Sequence, residues 1–228
     1  MNAPRSLAAR VLHSCEWLRR EPEPLIEALL ARGHLVSLPA GAWAQAEGDE
    51  QRGLVVVVSG VVHVYCQASG LRNVLIGHCE AGAVLGHATR YSGGPRLVTA
   101  VCARESVLLT VPERGLEEVA ARFPTLWRAL AVSAYGYTRS TVRALAELIS
   151  LPPRQRLAAR LLIMGAPTAG RGRPVVRLTQ QAIGEMIGVT RKTVNAHLAA
   201  FERAQLVCAG YQQIVLRDVE GLRRIANS

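Results

Sequence analysis

Near the end of the chain, in "LTQQAIGEMIGVTRKTVNAHLAAFERA" over residues 178–204, several hydrogen-bond donors stand close together. Arg191, Lys192 and Asn195 fall on one side of a helix with 3.6 residues per turn. Their types suit one chemistry. A guanidinium can pair in two places with guanine O6 and N7, a carboxamide can do the same with adenine N6 and N7, and an ammonium reaches guanine or a phosphate oxygen. Thr190 and Thr193 add hydroxyls beside this row, and Thr179 and Gln180 stand at the start of the preceding segment. Helix N-termini of this kind offer free N–H groups to phosphate. Ala196 shares the outward side but has no polar atom to offer, and His197 lies behind it as a phosphate-side or packing residue. For Lys192 and Asn195 two readings stand side by side: contact with base edges, or contact with phosphates that carries no sequence information.

Such a row must be held by a frame, and the same segment supplies one. Ala182, Ile183, Met186 and Ile187 give a short helix its inward side, with Thr179 as N-cap. Gly188 follows where a tight turn needs a positive φ. Thr190 caps a second helix that turns Val194, Leu198 and Phe201 inward. Helix, glycine turn and helix in this order predict a helix-turn-helix, whose second helix fits the major groove of a duplex. Downstream, "LVCAGYQQIVL" reads as a two-stranded wing around Gly210-Tyr211, and "DVEGLRRIA" as a closing helix. Upstream, Pro152-Pro153 ends one helix, Arg154–Met164 forms another on Leu157, Leu161 and Leu162, and a Gly/Pro/Arg loop runs over 165–174.

Charge agrees with a polyanionic partner. Of a formal net charge of +10, the residues from Leu151 onward hold twelve basic and four acidic side chains, which leaves the first 150 at only +2. The asymmetry points first to nucleic acid, which the helix-turn-helix makes double-stranded DNA, and second to a membrane surface. An arginine-rich composition explains why Lys192 is the sole lysine, but it does not explain the asymmetry. With 50% hydrophobic and 19% charged residues the chain can bury a core. The most apolar run, Leu54–Cys66, is too short to span a bilayer and reads as buried strand. Glu16, Glu21 and Glu23 interrupt any leader pattern, so the expectation is a cytoplasmic protein without a membrane partner. Five cysteines, widely spaced and without a C-x-x-C, predict reduced thiols.

The first two thirds predict a different architecture. Residues 5–32 form helices broken by Glu-Pro-Glu-Pro at 21–24. From Leu38 to Val111, Val-rich runs alternate with glycines every seven to ten residues, the signature of an antiparallel barrel or roll. A helix over 123–150 carries Leu126, Leu130, Val132, Tyr137, Thr141, Ala144 and Leu148 near one stripe. Leu130, Tyr137 and Ala144 are seven apart, which predicts a coiled-coil seam of a homodimer rather than a helix packed on its own domain. The fold class is α+β: an N-terminal antiparallel β-roll sensor domain over 1–122, a long dimerisation helix over 123–150, and a winged helix-turn-helix over 151–228.

In this order, the glycine-marked roll "GDEQRGLVVVVSGVVHVY…AGAVLG", the helix and "LTQQAIGEMIGVTRKTVNAHLAAFERAQLV" resemble the cyclic-AMP receptor protein/FNR family of transcription regulators. The resemblance implies a dimer on a pseudo-palindromic site, with RNA polymerase as a further partner if the protein activates. Family members usually read bases with Arg, Glu and Arg early in the second helix. These positions fall here on Arg191, Lys192 and Ala196, so a half-site different from the family's usual one is expected. Cyclic-nucleotide-binding relatives hold the ribose with a Gly-Glu pair and the cyclic phosphate with an Arg-Ser pair, separated by a short helical piece. The matching pairs are Gly86-His87 and Arg96-Leu97, and Ser140 and Thr141 stand where relatives meet the base. A carboxylate acceptor and a hydroxyl donor are thus lost, and the expectation is a degenerate pocket with no certain cofactor. A small-molecule effector, cyclic AMP or cyclic GMP among them, remains the alternative. An FNR-type iron–sulfur cluster needs several cysteines bunched near the N-terminus, where only Cys15 stands. For haem the nearby ligand types are His78, Cys79 and His87. No catalytic motif is present, and Asp49 and Glu50 read as solvated turn residues, so no enzyme is expected.

Overall fold

A computed structural model describes residues 3–50, 53–69, 72–87, 93–165, 172–210 and 213–228. The chain divides into two compact units, Met1–Arg139 and Ser140–Ser228.

The first unit opens with α1 (Ala3–Ser14), a 3₁₀ turn (Glu16–Leu18) and α2 (Glu23–Arg32), so the Glu-Pro-Glu-Pro stretch separates two helices as expected. Among the described residues eight strands follow: β1 (His34–Leu38), β2 (Trp43–Gln45), β3 (Gly53–Ser59), β4 (Val62–Ala68), β5 (Arg72–Cys79), β6 (Val84–Leu85), β7 (Thr99–Cys102) and β8 (Ser106–Pro112). They form two four-stranded sheets in the orders β1-β8-β3-β6 and β2-β7-β4-β5, and every recorded pair is antiparallel. Strand β3 shows why "LVVVV" does not alternate. Leu54, Val56 and Val58 pack with the helices, while Val55 and Val57 pack with Val62, Val64, Ala100 and Cys102 of the other sheet. A strand covered on both faces reads as a continuous apolar run, and each buried Val or Leu contributes roughly 1.5–3 kcal/mol.

Strand β4 is covered on one face only. Val62 and Val64 are buried, and the alternate residues His63 and Tyr65 are half-buried on the other face. His63 stands directly opposite His78 of β5, with ring centroids 5.6 Å apart.

A helix the sequence reading leaves unassigned, α3 (Glu113–Arg122), buries Leu116, Val119 and Ala120. The long helix α4 spans Thr125–Ser150. Its apolar residues divide by role. Leu126, Ala129 and Leu130 belong to the core of the first unit. Val132, Tyr135, Tyr137, Val142, Leu145, Leu148 and Ile149 are exposed large hydrophobics, Tyr137 the least so. Among them Tyr135, Val142 and Ile149 are seven apart, with Thr138 and Leu145 between them. Of the expected register on Leu130, Tyr137 and Ala144, Leu130 lies in the core of the first unit, and Tyr137, partly exposed, stacks on His87.

In the second unit α5 (Pro153–Gly165) buries Leu157, Ala158 and Leu161. It is followed by β9 (Val175–Val176), α6 (Gln180–Ile187), α7 (Arg191–Arg203), β10 (Val207–Gly210), β11 (Gln213–Leu216) and α8 (Val219–Ala226). The wing is a three-stranded sheet in the order β10-β11-β9, one strand more than expected. Most of the expected 165–174 loop and Tyr211 of the expected turn lie outside the described residues. At the end of α4, Glu147 accepts a hydrogen bond from Arg143 Nε at 3.1 Å and lies 4.0 Å from the buried guanidinium of Arg160 on α5.

Candidate nucleic-acid interface and effector pocket

The helix pair is built by its caps. Thr179 Oγ1 accepts from the Ala182 amide at 3.1 Å, and Thr190 Oγ1 accepts from the Thr193 amide at 3.2 Å. The Thr190 and Thr193 hydroxyls also bond each other at 2.9 Å. Each cap satisfies an N–H that the first helical turn leaves free. Gly188 adopts φ 68°, and its N–H donates back into α6. A side chain there would strain the turn. Gly184, which the sequence reading passes over, is fixed by packing: a Cβ on it would lie 2.7 Å from the Val189 carbonyl oxygen. A glycine inside a helix is the signal that marks such an approach.

With the turn set, the two faces of α7 separate. Val194, Leu198 and Phe201 are buried, whereas Arg191, Lys192, Asn195 and Ala196 are exposed. Thr193 and His197 are half-buried beside them, as is Gln180 at the start of α6, while Thr179 is exposed. The far end of α7 is tied to the wing, because Glu202 Oε1 accepts from the Ala209 amide at 2.8 Å. The outward side of α7 therefore presents two cations and one amide on a rigid, capped helix. That set can donate to base edges and to phosphates.

The roll brings Gly86, His87 and Arg96 together and leaves Leu97 out. Gly86 has φ 86°, and a Cβ on it would run into the Arg96 guanidinium and lie 2.5 Å from the Gly53 carbonyl oxygen. Arg96 is only 6% exposed, so it is no solvated strand-end charge. Its N–H donates to the Asp49 carbonyl at 2.8 Å, and its carbonyl accepts from Gly48 at 2.9 Å. Its Nε and Nη1 have no hydrogen-bond partner among the described residues. Burial pulls this guanidinium below its ordinary range, and the Asp49 carboxylate opposes that pull. Asp49 is thus exposed but not idle, since its Oδ2 also accepts from the Ala46 amide at 2.8 Å.

His87 is half-buried and stacks on Tyr137 of α4, with centroids 5.6 Å apart and planes 15° apart. Burial, and then the Arg96 charge, hold its imidazole below the usual range, which favours the neutral ring. Its Nδ1 has no partner among the described residues. The Tyr137 phenol is raised by burial and bonds the Val84 backbone and the Cys79 thiol. Burial pushes Cys79 itself up to about 12, so it stays a thiol. Heptad spacing predicts Tyr137 as a seam residue; the structure brings it beside His87. Leu97 is 62% exposed. Ser140 and Thr141 are exposed residues of α4 in the second unit. Beyond His87, the short helical piece expected between the two pairs falls on residues 88–92, outside the described residues. Among the described residues, no group of three His, Cys, Asp or Glu could hold a metal ion, and no helix is long and apolar enough to cross a membrane.

Comparison with known proteins agrees with this architecture. A "Cyclic nucleotide-binding domain" matches residues 35–123, and a "Crp-like helix-turn-helix domain" matches residues 155–225. The chain is 27% identical to the CRP-like cAMP-activated global transcriptional regulator of Mycobacterium tuberculosis, over 88% of this chain and 92% of that one. Among solved structures it is similar to FixK2 from Bradyrhizobium japonicum, with a TM-score of 0.76 and 23% identity over 85% of this chain and 96% of that one. It is also similar to CLP of Xanthomonas campestris, with a TM-score of 0.72 and 20% identity over 86% of this chain and 99% of that one. With both domains present in this order, the chain belongs to the Crp/FNR family of transcription regulators.

Proposed function

We propose that this regulator acts as a homodimer paired along 123–150, with each copy placing α7 in the major groove of one half of a pseudo-palindromic DNA site. One observation carries the reading: Arg191, Lys192 and Asn195 are exposed on a capped helix whose opposite face is buried. The exposed heptad Tyr135, Val142 and Ile149 supports pairing, since an unpartnered apolar row at this spacing suits a coiled-coil seam. Thr179, Gln180, Thr190, Thr193 and His197 flank the groove-reading residues on the phosphate side. If the protein activates, RNA polymerase is a further partner. It works in the cytoplasm and carries out no catalytic step of its own.

Because Lys192 cannot accept a hydrogen bond and Ala196 has none to give, the preferred half-site departs from the family's usual one. Selection of bound sequences from random DNA tests this; recovery of the unchanged family half-site refutes it. The pocket keeps the cation suited to a phosphate. It lacks a carboxylate for the ribose at His87 and a hydroxyl at Leu97, so it does not hold a cyclic nucleotide in the family's usual manner. A cyclic-nucleotide-responsive regulator is the second reading, favoured by the buried Nε and Nη1 of Arg96, which have no hydrogen-bond partner among the described residues, and by the relatives named as cAMP-activated. Calorimetry with cyclic AMP and cyclic GMP separates the two, and saturable micromolar binding selects the second. Haem ligation is the remaining alternative, and a Soret band in the purified protein would reveal it. Any control over DNA binding is a population shift between competent and incompetent dimers.

A further inference from the structure

Among the described residues β10 is an edge strand, paired with β11 alone. The Ala209 N–H points off that free edge and donates to Glu202 Oε1 at 2.8 Å, in an exposed position. Water satisfies an exposed amide nearly as well, so the bond adds little to folding. Glu202 also stands in the last turn of α7, where the negative end of the helix dipole disfavours a carboxylate. What the bond does supply is a fixed distance between α7 and the wing.

The strand register shows what that distance controls. Ala209 lies opposite Ile214 of β11, and Ile214 lies opposite Val176 of β9. A row across the sheet thus runs from the Glu202 carboxylate to Val176. Arg177 comes next, exposed, shortly before the Thr179 cap of α6. We infer that Glu202 is a positioning residue for DNA binding: it fixes the wing sheet against α7 so that Arg177 meets a phosphate while the start of α7 lies in the groove, which rests on the reading of α7 as the groove-entering helix. A guanidinium pairs with phosphate oxygens through a rigid planar fork, so a small shift of the sheet that carries it loses the pair. Charge and geometry give opposite signs here. As a charge, Glu202 repels a duplex, and its removal tightens binding. As a support, it holds Arg177 in place, and its removal weakens binding.

The test uses the full-length protein and the duplex that the parent selects from random DNA. Electrophoretic shifts over a salt series give the affinity and the salt slope of each variant. Glu202→Gln keeps an acceptor at the same reach, and it is expected to bind at least as well as the parent with an unchanged slope. Glu202→Asp keeps the charge but is one methylene too short, and Glu202→Ala has neither charge nor reach. Both are expected to bind about fivefold more weakly, with a slope shallower by about one, as is Arg177→Ala. Arg177→Ala is expected to cost nothing further when added to Glu202→Ala. The selected sequence is expected to stay the same, since Arg191, Lys192 and Asn195 are untouched. Should Glu202→Ala fail to fold, Glu202→Asp against Glu202→Gln still decides. The proposal is overturned if Glu202→Asp binds as the parent does, if Glu202→Ala and Glu202→Gln bind alike, or if Arg177→Ala costs as much beside Glu202→Ala as alone. A parent that selects no sequence and shifts no duplex overturns the reading of α7 itself, and this role of Glu202 with it.

Discussion

At residue 192 a lysine stands where family members usually carry a glutamate, and the exposed position on α7 makes the difference a matter of donors and acceptors. Lys192→Glu replaces three donors by an acceptor that can take a hydrogen bond from cytosine N4. If Lys192 reads a base, the variant selects a different base at that position, with discrimination of about 1–3 kcal/mol. If Lys192 touches only phosphate, the variant selects the same site and binds all sequences more weakly. Selection from random DNA with both proteins distinguishes these outcomes. The exposure of Arg191, Lys192, Asn195 and Ala196 was legible in the sequence, because it follows from helical periodicity against Val194, Leu198 and Phe201. The burial of Arg96 was not. It depends on Gly86, Gly48 and Asp49, which are remote in the chain and meet only when the roll closes. The stack of Tyr137 on His87 was not legible either, since spacing says that a residue shares a stripe but not what covers it.

Among the elements, β4, β5 and α4 carry the sharpest expectations. On β4, burial and then the neighbouring His78 lower the His63 pKa to about 4. The ring faces His78, Tyr65 and Val101, and His78 Nε2 lies 3.3 Å from Glu80 Oε1. Between pH 4 and the ordinary value near 6.5, the unfolded chain holds a proton on His63 and the folded one does not. Stability therefore falls as pH drops through that window. Urea midpoints measured from pH 7 to pH 4 should decline less steeply for His63→Asn than for the parent. On α4, Val142→Asp places a charge at the centre of the exposed heptad. Sedimentation should show the dimer lost, with DNA binding lost alongside it and the helical content retained. Unchanged assembly would move the seam elsewhere. Strand β9 was invisible in advance because two residues cannot display a period of two. Helix α3 was hidden because its glutamates and arginines leave only Leu116, Val119 and Ala120 as an apolar stripe. The roll, by contrast, was plain, since β3 buries both faces and its valine run has no other simple use.

Across the whole molecule, the charge asymmetry sets how the protein meets DNA. Affinity should fall linearly on logarithmic axes as salt rises, and Lys192→Ala should make the slope shallower by about one if that ammonium neutralises a phosphate. Measuring electrophoretic shifts over a salt series checks both. The order of roll, long helix and winged helix-turn-helix followed from composition and periodicity together, and the family comparison agrees with it. The chain's one ε-amine has a practical corollary. Because Lys192 is the sole lysine and is exposed on α7, an amine-selective acylating reagent has, apart from a chain terminus, a single target. Acylation there erases one positive charge, and a bound duplex would shield it, so the rate of labelling becomes a direct gauge of how often the groove is occupied.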